Sequence, residues 1–343
     1  MKRNLQGAIV VQTGASSGIG RAAALAFAGR GANMVLAARG PEPLEEVAAR
    51  CREKQVKALA VPTDISDESQ VAALAGRALQ EFGRIDVWVN CAAVVSFGRF
   101  LDVPPEAFRR VLETNLMGTV HGSRAALAHF SQRSGGVLIN VASVLGKEGI
   151  PYLSSYVASK EAIVGFDACL REELRHTGIY VCSVLPASIN TPIWQHGANY
   201  TGRAVKPVPP IYEPEQVAET IVACARRPRR VTYVGLAGPI ITTCHKISPT
   251  IYEEIAGPVV ERVLFQGSKP AEISEGNIFQ PSREPMAERG GWPAHGPLVD
   301  RVGILSAAAG VAGIAGWWWA RRARKRLPRT LWRMARRAVR RAA

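Results

Sequence analysis

The sequence predicts an α/β fold, a doubly wound and mostly parallel sheet of seven strands with helices on both faces. Two observations carry that reading. Seven short apolar runs alternate with longer stretches of helical pattern, and such alternation requires parallel strands joined by crossover helices. The first run is followed by Thr13-Gly14-Ala15-Ser16-Ser17-Gly18-Ile19-Gly20, three glycines in eight residues where a strand would turn into a helix.

The elements follow in order. Strand runs at 8–11, 34–37, 58–61, 87–89, 136–141, 179–185 and 231–234 are separated by helix-like stretches at 19–30, 42–54, 68–82, 106–133, 155–176 and 214–225. Beyond residue 235 the alternation stops. Residues 239–265 are apolar but interrupted by Pro249 and Pro258, which predicts broken helices capping the body. The predicted organisation is a Rossmann-type domain over 1–265 and a Gly/Pro-rich linker over 266–300. A candidate membrane segment at 301–320 and a basic amphipathic tail at 321–343 complete it.

Of the 343 residues, 47% are hydrophobic and 21% charged, ordinary for a chain that buries a sizeable core. The net charge of +15 is concentrated: residues 321–343 hold eleven Arg and Lys and no acid, leaving 32 basic against 28 acidic residues in the rest. The six cysteines are scattered without a CxxC, and no His pair has metal-ligand spacing. Free thiols in a reducing compartment and no metal site are expected. The N-terminal apolar run is short and breaks at Thr13-Gly14, so it reads as a first strand and not as a signal peptide.

The glycine turn is open to two readings by itself, a dinucleotide-binding turn or a flexible loop. Glycines permit positive φ and close approach to a pyrophosphate, and a helix N-terminus offers unpaired N–H groups. Tyr156 and Lys160 lie one helical turn apart on one face. An ammonium there would draw the phenol, ordinarily near ~10, toward acid/base work at neutral pH.

Taken in order, these stretches resemble the classical short-chain dehydrogenase/reductase family over about residues 5–235. The resemblance implies a cofactor site of Gly14, Ser16, Ser17, Gly18, Ile19 and Gly20, with Asp64 and Ile65 toward the adenine. It adds Asn90, at the first position of the family's NNAG motif, and Ile189 and Thr191 of its PGxIxT motif. Cys91, Ala93 and Ala187 depart from those motifs. Ala38 stands where NAD-preferring folds carry an acid, and Arg39 follows it. An arginine accommodates a 2′-phosphate, so NADP(H) is favoured over NAD(H).

The resemblance also implies a catalytic tetrad of Asn115, Ser143, Tyr156 and Lys160. Ser143 holds the substrate oxygen and Tyr156 exchanges the proton. Lys160 lowers the Tyr pKa and binds the nicotinamide ribose, as Tyr156 also does, and Asn115 positions a water. Hydride transfer at a carbinol or carbonyl carbon is the implied activity, and family analogy implies a homo-oligomer. A non-catalytic cofactor-binding sensor or a membrane scaffold on the same fold stays open as an alternative.

Residues 302–320 carry no charge and end in Trp317-Trp318-Trp319 beside Arg321. As a helix of ~1.5 Å per residue they would barely match a hydrocarbon core, so they either span or lie in the interface. With the basic tail, they point to membrane lipid rather than nucleic acid as partner. The catalytic domain is expected on the cytoplasmic side, acting on a small lipophilic substrate. Val94, Val95, Phe97, Leu145, Trp194 and Tyr200 are candidates for an apolar pocket.

Overall fold

In a computed structural model, which describes residues 3–133, 135–282 and 286–294, seven parallel strands form one sheet. They are β1 (Ile9–Thr13), β2 (Asn33–Ala38), β3 (Ala58–Pro62), β4 (Val87–Asn90), β5 (Gly136–Val141), β6 (Ile179–Pro186) and β7 (Val231–Val234). Their spatial order is β7-β6-β5-β4-β1-β2-β3. The chain winds outward from β1 to β3 and then returns to start β4 on the other side of β1. That reversal opens a crevice beyond the carboxyl ends of β1 and β4, where ligands of such sheets bind.

The central strands are apolar almost throughout because helices cover both faces. Alternate residues go to opposite layers. Val10, Met34, Leu36, Val87, Val89, Val137 and Ile139 pack under α1 (Gly18–Ala28) and α2 (Pro41–Arg52). Val11, Val35, Trp88, Leu138 and Val181 pack on the other side, against α3 (Glu68–Phe82). Local chemistry marks the ends: Asp67 caps α3 by accepting from the N–H groups of Ser69 and Gln70, and Gly83 closes it at φ +72°.

The helix expected over 106–133 is in fact three pieces. α4 (Pro105–Leu112) and α5 (Gly118–Arg133) are joined by a π-helical turn, Glu113–Met117. Such turns are single local insertions common at functional sites, and this one contains Asn115. Then come α6 (Ser154–Glu173) and α7 (Pro214–Arg226). The apolar stretch after β7 forms α8 (Ala237–Ile247) and α9 (Pro249–Val263), broken before Pro249 as expected, whereas Pro258 lies inside α9 without ending it.

The stretch read as a linker is no free tether where it is described. Phe265–Pro270 pairs antiparallel with Arg203–Val205, and Ser274 bridges to Asn199. Ile278 is fully buried. Its Gly and Pro content satisfied backbone packing on the body, which composition cannot distinguish from a flexible tether. Residues 301–320 and 321–343 lie outside the described residues. Among the described residues no helix is long and apolar enough to cross a membrane.

Candidate active site and dinucleotide groove

The site begins where β1 meets the turn. Thr13 Oγ1 accepts the N–H groups of Cys91, at 3.1 Å, and Ala92, at 3.3 Å, tying the end of β1 to the end of β4. Gly14 has φ +67°, and a Cβ on it would lie 2.6 Å from Ala92 Cα. Only glycine fits there, because the turn must cross the β4 loop at backbone contact. Ala93 and Ala187, which replace family glycines, are both at φ values that alanine tolerates, since neither is among the positive-φ residues.

A cavity of about 770 Å³ runs along the strand ends, within the range of small-molecule and cofactor sites. Gly14, Ser16, Ser17, Gly18, Ile19, Gly20, Arg39, Asp64, Ile65, Ile189 and Thr191 all line it, together with Ser143, Tyr156 and Lys160. The chemistry fits a nicotinamide dinucleotide. A helix N-terminus and a glycine turn suit a pyrophosphate, and Arg39 stands at the far rim.

Two expected residues sit elsewhere. Asn90 does not line the cavity. It is buried in a network, donating to Asn140 Oδ1 at 2.9 Å and accepting from Trp88 Nε1 at 2.8 Å. Asn140 in turn donates to Asp167, which also accepts from Ser183. The Asn90 side chain locks β4 to β5. Burial pushes Asp167 up to about 6. Asn115 is also fully buried. Its Oδ1 accepts the Val94 N–H at 2.8 Å, and its Nδ2 donates to Val94 O and Ser159 Oγ. It thus clamps the loop after β4 to α6 beside Lys160.

Arg39 donates to the carbonyls of Asn277, at 2.5 Å, and Ile278, at 3.3 Å. Burial lowers its pKa, with Asp64 opposing. Burial works to raise Asp64, but hydrogen bonds from Ser66 and from Arg110, at 2.6 Å, outweigh it and hold the carboxyl below its usual range.

Ser143 follows β5, and its Oγ accepts the Leu145 N–H at 3.1 Å. Tyr156 and Lys160 leave the first two turns of α6. Lys160 Nζ donates to Val141 O at 2.9 Å and lies 5.5 Å from the Tyr156 ring centre. Burial pushes Tyr156 up to about 12 against a hydrogen bond with Ser143 that works to lower it. Burial brings Lys160 down to about 8. Burial is the largest influence on both groups.

Beyond Tyr156 the wall is apolar. Val94, Val95, Phe97, Leu145 and Trp194 line it as expected, and Phe97 stacks on Trp194 at 5.7 Å. Tyr200 does not line it and packs beside Val94 and Val103 instead. Sequence reasoning missed Ile241, Tyr252 and Val260 from α8 and α9, and Asn277, Pro281, Ser282 and Met286 from the C-terminal stretch. No local pattern marks them, since long-range packing brings them in.

The family model described as short chain dehydrogenase matches residues 8–199. The chain is 34% identical over 335 residues to the uncharacterized oxidoreductase YxnA of Bacillus subtilis, covering 94% of this chain and 93% of that protein. It is 37% identical over 197 residues to dehydrogenase/reductase SDR family member 7B of Bos taurus, covering 56% of this chain and 61% of that one. A short-chain dehydrogenase/reductase from Burkholderia phymatum, solved in complex with NAD, superposes with a TM-score of 0.66 at 24% identity. That match covers 73% of this chain and 96% of the solved one, and it shares the fold. With the parallel sheet, the glycine turn and the Tyr–Lys pair on one cavity, the chain belongs to the short-chain dehydrogenase/reductase family of oxidoreductases.

Proposed function

We propose that the protein is an NADP(H)-dependent oxidoreductase acting at a carbinol or carbonyl carbon of a lipophilic substrate, with Tyr156 as the general acid/base. One observation carries the reading: Ser143, Tyr156 and Lys160 line the same cavity as the glycine turn and Arg39, with an apolar wall alongside. When bound, a nicotinamide dinucleotide supplies or accepts the hydride. Tyr156, held protonated by burial, is in the state that gives a proton to a carbonyl oxygen. Ser143 steadies that oxygen, and Lys160 stands behind the phenol as the cation beside the developing charge. Asn115 positions α6 through Ser159. Arg39, with no acid at Ala38, favours a 2′-phosphate.

Replacing Tyr156→Phe is expected to lower turnover by about 10²–10⁴-fold while binding of NADPH, titrated in parallel with NADH, is kept. Retained turnover would remove Tyr156 from the mechanism, and equal affinity for both dinucleotides would remove the NADP preference. The uncharged segment at 302–320 and the eleven cations after it support membrane association, with the catalytic domain on the cytoplasmic side. The full chain should pellet with anionic vesicles and a chain ending at residue 300 should not; equal pelleting of the two would refute the assignment.

A further inference from the structure

Two stretches, 274–282 and 286–292, run along the outer edge of the groove and lie outside the family match, which ends at residue 199. Each is seated by a glycine. Gly276 has φ +49°, and a Cβ on it would overlap the backbone of His196 to Ala198. A Cβ on Gly290 would overlap the Thr191 carbonyl. Neither obstacle is a flexible side chain, so close backbone approach requires glycine at both places.

Between these seats the stretches contact residues that line the cavity or lie beside it. The carbonyls of Asn277 and Ile278 take Arg39, and Ile278 O also accepts from Arg110 at 3.0 Å. Ala287 O accepts the Gly18 N–H at 2.8 Å, at the start of α1. Glu288 pairs with Arg50 at 3.0 Å and approaches Arg21 at 3.6 Å. Arg289 bridges to Glu213 and Glu215. Asn190 Oδ1, next to Thr191, accepts the Gly290 N–H at 3.1 Å. The contacts therefore reach from Arg39 at one end, past the N-terminus of α1, to the Ile189–Thr191 loop at the other.

We propose that residues 274–282 and 286–292 form a clasp that retains the cofactor, with Arg39 linking the clasp to the 2′-phosphate end. This rests on the reading of the cavity as a dinucleotide site. A guanidinium has five N–H donors, so Arg39 can keep its two carbonyls and still present donors to a phosphate. Cofactor exchange then requires the clasp contacts to break, and release, more than capture, is slowed.

The test uses the full chain loaded with NADPH, whose release is followed by fluorescence after a chase of excess NADP. Gly290→Val is expected to speed release about tenfold or more with an unchanged circular dichroism spectrum. Should that variant not fold, Glu288→Ala with Arg289→Ala is the alternative, with release about two- to fivefold faster. In the unaltered protein, NADPH should slow amide hydrogen exchange in both stretches. Release at the unaltered rate, or exchange in both stretches indifferent to NADPH, would overturn the clasp while leaving the dinucleotide site standing. Failure of the unaltered chain to bind either NADPH or NADH would overturn both.

Discussion

The two ends of the cavity are built in different ways. At the dinucleotide end, the groups come from residues within a few positions of a strand end: Gly14 to Gly20 after β1, Arg39 after β2, Asp64 after β3. The backbone of the parallel sheet places them, because each follows the carboxyl end of one of three adjacent strands. At the substrate end, the wall combines Val95 and Phe97 with Trp194, then with Tyr252 and Val260 from α9. Those residues are separated by up to half the chain, and packing alone assembles them. The first end tolerates little change because a backbone must pass a backbone; the second exchanges apolar side chains more freely, as cores do.

The sharpest way to break this contrast is at Gly14. Gly14→Val places a branched side chain at φ +67° and into the Ala92 backbone. The expected cost is about 3 kcal/mol or more of stability, seen as a lower denaturation midpoint, with loss of dinucleotide binding. A variant that keeps normal midpoint and affinity would mean that the turn is not held as described. A smaller effect is expected at the other end. Trp194→Ala removes the ring stacked on Phe97 and should raise KM for an apolar ketone about tenfold with cofactor affinity unchanged. If cofactor affinity falls as much as KM rises, the two ends are not separable.

Legibility in the sequence divides along the same line. All seven strands were readable, because parallel strands covered on both faces read as short apolar runs between helical stretches. The spacing of Tyr156 and Lys160 puts them on one helix face, whereas Ser143 came only from the resemblance to the family. Asn90 was assigned to the cofactor, yet its amide is spent within the sheet on Asn140 and Trp88. A motif names a residue but does not tell which way its side chain points. The π turn around Asn115 was also invisible, since no residue type in Glu113–Met117 marks such a turn.

The C-terminal stretch shows the limit most plainly. Gly276 and Gly290 looked like linker glycines by composition, and the structure places them at close backbone contacts with His196 to Ala198 and with Thr191. By itself the sequence determined the winding of the sheet, the glycine turn and the Tyr–Lys pair, all of which follow from local geometry repeated at short range. Tertiary structure decided what Arg39 touches, what Asn90 and Asn115 hold, and which distant residues wall the cavity. Those depend on contacts between segments far apart in the chain, and neither period nor composition encodes them.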